Sequence, residues 1–392
     1  MLEIARTITA LVNSKKIALP QRTIRFMWVP ETLGTVAYVS NHPELSSKLV
    51  AGINLDMVGQ NQELCRSSLC LDRTPDSLPS YLNDYVFRLI EQTVKEFDVQ
   101  TSLGSASTFR YRAQAFSGGS DHAEFNEVTI KVPCVMLLQW PDLFYHTSMD
   151  TIDNVSEDSL KRIGWIATMA ALTLANADVE DAFLLAYQTA SKGMTRIAEA
   201  CNNAAQALFQ IDSEKELYKA ISYFKSKIEH IIWREQEAVK SVKKLAKTSQ
   251  LDRYIDVYCR DIEALGKQEA ARLEDIISFI RESRNMKTPK FAETRIDEKA
   301  RRLIPKRLFK GTLNSDLLRQ KLTESEYEWY EKIGNEDKEF GKKMAEIINF
   351  IDGKRTAYEI VNAVSAEYSQ TNTEHALKFL KDLGKLGLVI FQ

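Results

Sequence analysis

A change of texture near residue 178 limits this chain more than any other feature. Before it, short apolar runs alternate with helical patterns. After it, apolar residues recur on heptad spacing as far as residue 284, with no strand-like run. Alternation of the first kind means strands linked by helices, so residues 1–178 are expected to form a three-layer α/β sandwich around a mostly parallel sheet. The pattern predicts helices over 1–13, from Gly34, over 80–97 and near 120–125. It predicts strands over 23–29, 49–57 and near 108–112, and one starting at Val132 and reaching Trp140. Ser156 caps a further helix ending near Ala175, with Glu157 and Asp158 in its first turn, where the helix dipole favours acids.

Residues 179–288 read as a helical region. Leu217, Ile221, Phe224, Ile228, Ile231, Ala238, Val242 and Leu245 hold a 4-3 spacing, with Glu235 as its one polar interruption. A second stripe begins at Leu251, Ile255, Tyr258, Ile262 and Leu265 after the polar break Lys247-Thr248-Ser249-Gln250. Two heptad stripes around a short break predict an antiparallel helical hairpin. The stripe serves either as core packing or as an arm for a homo-oligomer. Residues 289–392 follow the linker-like Asn285-Met286-Lys287-Thr288-Pro289-Lys290. They read as helices from Phe340, over 357–368 and over 373–383, then a strand Leu388-Val389-Ile390-Phe391, the order of a winged-helix-like module.

Charge narrows the function classes. The formal net charge of −2 argues against a field built for nucleic acid or a membrane. Lys378, Lys381 and His375 on the third tail helix are offset by Glu374 and Asp382, so no phosphate footprint is expected there. No apolar run approaches the ~20 residues of a membrane span. Five scattered cysteines suggest reduced thiols in the cytoplasm, and the close pair Cys65 and Cys70 lacks the second pair a zinc motif needs.

The candidate chemistry lies where the predicted strands end. Glu31 follows the run 23–29, Asp56 closes the run 49–57, and His146 follows the run 132–140. Ligands of open α/β sheets collect at the carboxyl ends of strands. Glu, Asp and His delivered to one edge are the ligands zinc takes when cysteine is not used. Asp121 is either a helix N-cap or an acid that orients a neighbour, and His122 reads as a core histidine. Asp150 and Asp153 read as loop-ordering acids. His42, His230 and His375 lack partner acids in the sequence and read as structural.

Three runs carry a resemblance. Asn54-Leu55-Asp56-Met57-Val58-Gly59, Gly119-Ser120-Asp121-His122-Ala123-Glu124-Phe125, and Tyr145-His146-Thr147 with Asp150-Thr151-Ile152-Asp153-Asn154-Val155 resemble the zinc exopeptidases that include bacterial leucyl aminopeptidases and the glutaminyl cyclases. The 25-residue spacing from Glu31 to Asp56 also fits, and the Pro30-Glu31 ending resembles a branch with a winged-helix tail. The resemblance implies Asp56 and His146 as zinc ligands, Glu31 as ligand or general base, and Asp121 as an acid beside the site. It implies one or two Zn²⁺ ions, a peptide substrate and cleavage at the amino terminus. There, zinc would lower the pKa of a bound water to about 7 and a carboxylate would take its proton.

Two departures temper that expectation. The family has a Glu-Glu pair where this chain has Pro30-Glu31, and Glu124 is a remote candidate for the second carboxylate. The family also places a His and a metal-bridging Asp ahead of the helix that residues 1–13 resemble. The expectation is therefore an aminopeptidase domain that binds zinc weakly and has doubtful activity in this chain. The contrary expectation is a non-catalytic scaffold that binds protein partners through the arm and the tail.

Overall fold

The computed structural model describes residues 1–97, 100–102, 104–105, 108–286, 294–314 and 316–392. The chain opens with α1 (Leu2–Asn13) and α2 (Leu33–Asn41), then a single turn α3 (Leu45–Lys48), β1 (Gly52–Leu55), a single turn α4 (Gln62–Cys65) and β2 (Ser68–Asp72). Next come α5 (Leu82–Phe97), the small ribbon β3 (Gln100–Thr101) with β4 (Gly104–Ser105), β5 (Tyr111–Gln114), α6 (His122–Asn126), β6 (Cys134–Trp140) and α7 (Glu157–Asn176). Ser156 caps α7 through the Ser159 amide, as expected.

The sheet runs β1-β6-β2-β5. β1 is parallel to β6 and β2 to β5, while β2 and β6 are antiparallel, so the sheet is mixed, with two of its three pairings parallel. Side chains alternate across the pleat. Leu69, Leu71, Val135 and Leu137 face a core shared with α5 and α7, whereas Cys70, Met136 and Leu138 face the opposite side. α6 packs on β1 and β6 and against α2.

One strand expectation is corrected, and one strand was not expected. Residues 23–29 form no strand: Ile24 and Phe26 lie against α1 and Leu55, but the segment has no ladder partner among the described residues. Its period-two pattern survives as burial, with Arg22, Ile24 and Phe26 half-buried and Thr23 and Arg25 exposed. The guanidinium of Arg22 anchors it to the carbonyls of Leu174, Ala177 and Leu245. Conversely, the central strand β2 has no counterpart in the sequence reading. Its run Leu69-Cys70-Leu71 is buried on both faces and too short to show a period.

The helical region is a three-helix bundle in which a further helix packs on the expected hairpin: α8 (Val179–Phe209), α9 (Glu214–Lys240) and α10 (Ser249–Ser283), with a 3₁₀ turn at Ser241–Lys244. The pairs Lys225–Glu274 and Gln236–Cys259 run in opposite senses, so α9 and α10 are antiparallel. The missing member is α8, whose buried face is rich in small residues, Ala182, Ala186, Ala190, Gly193 and Ala204. Small residues let helices approach closely and leave only a faint apolar period. A Cβ on Gly193 would meet Glu235 at 2.9 Å, and one on Gly266 would meet Ile232 at 2.3 Å. The heptad residues Leu217, Ile221, Ile228 and Ile231 are buried within the chain. The bundle base, with Leu185, Val239, Leu245 and Ile255, is continuous with the sheet core.

The remaining elements are α11 (Arg295–Arg301), β7 (Pro305–Arg307), α12 (Asp316–Lys321), α13 (Glu324–Glu336), α14 (Phe340–Asn349), α15 (Ala357–Glu367), α16 (Thr373–Lys385) and β8 (Val389–Phe391). Of the expected linker, residues 287–290 lie outside the described residues. The helix, helix, helix, strand order of the tail is present, and β8 pairs antiparallel with the much earlier β7. Lys378 bonds Asp382 and lies over the Trp329 ring, so the core of the unit itself engages it. No helix among the described residues is long and apolar enough to cross a membrane.

Candidate active site at the β1–β6 edge

Because β1 and β6 are parallel, their carboxyl ends reach the same edge of the sheet. Asp56 comes directly after β1; its amide donates to the Leu137 carbonyl at 3.1 Å, and Gln139 donates to the Met57 carbonyl at 2.9 Å. His146 follows β6 and is exposed, its ring stacked on Tyr145 with centroids 3.7 Å apart. Tyr145 in turn meets the edge of Trp140, the last residue of β6.

Glu31 reaches this region on a strained turn. Thr32 has φ 60° and ψ −64°, and the Leu33 amide donates to the Glu31 carbonyl at 2.6 Å. This is a γ-turn of the strained hand, centred on a β-branched residue that avoids positive φ. The Asp121 carboxylate stabilises it by accepting the Thr32 amide at 2.8 Å. Asp121 does stand at the N-cap position of α6, but its side chain makes no cap hydrogen bond, so the capping role is corrected. Its neighbour Ser120 accepts from the Asn54 amide group at 2.8 Å, tying α6 to the end of β1.

Backbone strain collects at these positions. Seven non-glycine residues among those described have positive φ, and three are Thr32, Met57 and His146, beside or at Glu31, Asp56 and His146. Such strain persists only where surrounding structure enforces it, and it concentrates at functional sites.

The other candidates are engaged elsewhere. Glu124 is buried and accepts from Thr312 Oγ1 at 2.5 Å; burial pushes its carboxyl up. His122 is fully buried, with Nε2 3.3 Å from Asp72, an acid that also binds Ser117. Asp150 and Asp153 are exposed on the loop. His375 packs its ring on Trp329 and Phe340. The absence of acid partners for two histidines is corrected: His42 lies 3.5 Å from Glu44, and His230 lies 3.0 Å from the buried Asp76. Asp76 belongs to a network that spacing alone could not reveal, because Asp84, Arg196, Arg234 and Glu235 come from three separate helices. All five cysteines are free and buried; burial pushes the Cys65 thiol up to about 11 and Cys134 to about 12.

Glu31, Asp56 and His146 are donors of the type zinc accepts. Among the described residues, however, no three His, Cys, Asp or Glu side chains are grouped to hold a metal ion. The donor chemistry fits and the grouping does not, so the arrangement assigns no chemical step to a metal.

Neither a curated protein nor a solved structure matches the chain. Residues 1–171 match the family model described as peptidase family M28. That span carries α1, the sheet and its strained edge, and most of α7. Over residues 1–171 the chain is similar to peptidase family M28, the zinc aminopeptidase and glutaminyl cyclase-like family.

Proposed function

We propose that the first unit is a metallopeptidase-type hydrolase domain acting on the amino-terminal residue of peptides, with Glu31, Asp56 and His146 as its zinc-facing residues. The observation that carries this reading is the family match over the same span that holds three strained, acid- or histidine-bearing corners. Glu31 is exposed, so it is open to take a proton from a nucleophilic water, and Asp121 would hold its turn in register. Leu33, Tyr145 and Met149, exposed beside these residues in sequence, offer apolar contact to a substrate side chain. The tail is read as a winged-helix-like packing module and the cytoplasm as the compartment.

With the donors ungrouped, zinc affinity and turnover should both be low. The expected result is slow, zinc-dependent release of the first residue from an unblocked peptide. An acetylated peptide should be inert, and Asp56→Ala should abolish release. Cleavage that ignores acetylation or survives Asp56→Ala would overturn the reading. The ungrouped donors also favour a second reading, a non-catalytic scaffold, which predicts no cleavage above the Asp56→Ala background.

A further inference from the structure

The segment that carries Asp121 is held from two directions. Toward the sheet, Asn126 exchanges hydrogen bonds of 2.7 and 2.9 Å with Cys134 of β6, and Ser120 is tied to Asn54. Toward the C-terminal unit, Arg307 of β7 pairs with Glu127 at 2.5 Å, Thr312 donates to Glu124, and the Gly311 amide donates to Thr129 Oγ1 at 3.1 Å. Arg307 is preset for this contact: its guanidinium lies over the Phe309 ring and donates to the Gly311 carbonyl at 2.7 Å. Glu127 is 1% exposed and Glu124 7%, so neither carboxylate can exchange its partner for water without moving α6.

A five-residue helix has almost no stability of its own, and its position is set by what grips it. We propose that the C-terminal unit is a built-in clamp on the candidate site. In this scheme Arg307, assisted by Thr312, is a positioning residue that fixes α6, hence Asp121, hence the strained Glu31–Thr32–Leu33 turn. The significance of that turn rests on the peptidase reading, but the mechanical coupling does not. Releasing the clamp frees two buried carboxylates to turn toward water, pivoting α6 about its Asn126–Cys134 anchor. Asp121 then withdraws from the Thr32 amide, and the γ-turn loses the contact that opposes its strain.

Hydrogen exchange on the full chain, resolved at the Thr32 amide, tests this without any assay of activity. Arg307→Met should speed exchange at Thr32 about tenfold, the protection given by roughly one hydrogen bond. Amides of β2 should keep their wild-type rates. Should Arg307→Met fail to fold, Thr312→Val, which removes one hydroxyl, should produce a smaller increase at the same amide. The proposal is overturned if Thr32 exchanges at the wild-type rate in the variant, or if its increase is matched throughout β2, the sign of general destabilisation. Absence of peptidase activity in the wild-type protein would leave this result untouched, so the two readings fail separately.

Discussion

Acidic side chains occupy two opposite settings in this molecule. At the β1–β6 edge, Glu31 is exposed and Asp56 half-buried, neither has an ion-pair partner among the described residues, and each adjoins a positive-φ corner. Under the other end of β2, Asp76, Asp84 and Glu235 are interlaced with Arg196, Arg234 and His230 at 2.5–3.3 Å. There, burial would raise Glu235, yet the guanidiniums of Arg234 and Arg196 prevail and hold it at about 2. The buried set spends its charges on one another and fastens the sheet unit to the bundle. The edge leaves its charges open and keeps a strained backbone to carry them. Stability and function thus make contrary demands on the same residue type, and the two sets are separable by experiment.

The largest effect should come from the buried side. Arg234→Met leaves Asp76 and Glu235 each short of a partner in the interior, and breaking such a pair costs on the order of 3–5 kcal/mol. Urea unfolding should show that loss as a lowered midpoint. A change within experimental error would mean the network is stabilised by water rather than by its own charges.

A smaller effect belongs to the exception on the buried side, two acids without a cation between them. Glu346 accepts from Ser77 and Asn349 at the seam with the C-terminal unit, and burial raises it to about 6. Glu367 beside it is raised further, by burial and then by the Glu346 charge. Both folded values lie above the ordinary 4.5, so their contribution is complete below that pH and is lost as pH rises through about 6. Glu235 has the opposite sign: its contribution is present above 4.5 and is lost as pH falls toward 2. Glu367→Gln copies the protonated acid. It should match wild type at pH 5 and exceed it at pH 8, read from urea midpoints. Parallel pH profiles for the two proteins would refute the account of two acids raised by burial and by each other.

The smallest stability effect lies at the edge, with reversed sign. Thr32→Gly removes a β-branched residue from a turn that disfavours it, worth about 1 kcal/mol after glycine's own entropic cost. A raised thermal midpoint, with the Glu31 turn exchanging its amides faster, is the expected pair of results. A lowered midpoint would show that the turn carries no strain.

How much of this was legible in the sequence follows from the range of each interaction. The helix start at Ser156 was readable because a cap is settled within four residues. The location of Asp56 and His146 beyond β1 and β6 was readable because an apolar run announces each strand. The run 23–29 looked equally like a strand, but a ladder depends on a neighbour that local pattern cannot supply. α8 was passed over because alanines pack closely without a strong apolar period. The Asp76–His230 contact spans 154 positions and the Arg307–Glu127 contact 180, beyond the reach of any spacing rule. Strain at Thr32 was likewise invisible, since nothing local in Pro30-Glu31-Thr32-Leu33 calls for positive φ.

The proposed function assigns metal binding to the open edge and not to the buried network. Calorimetric titration with Zn²⁺ tests it most directly on wild type, Asp56→Asn, His146→Ala and His230→Gln. The wild-type chain should bind zinc more weakly than micromolar, in keeping with its ungrouped donors. That binding should vanish in Asp56→Asn and in His146→Ala, with unfolding midpoints within about 0.5 kcal/mol of wild type, and persist in His230→Gln. Zinc binding that survives both edge substitutions, or that is lost only in His230→Gln, would contradict the account.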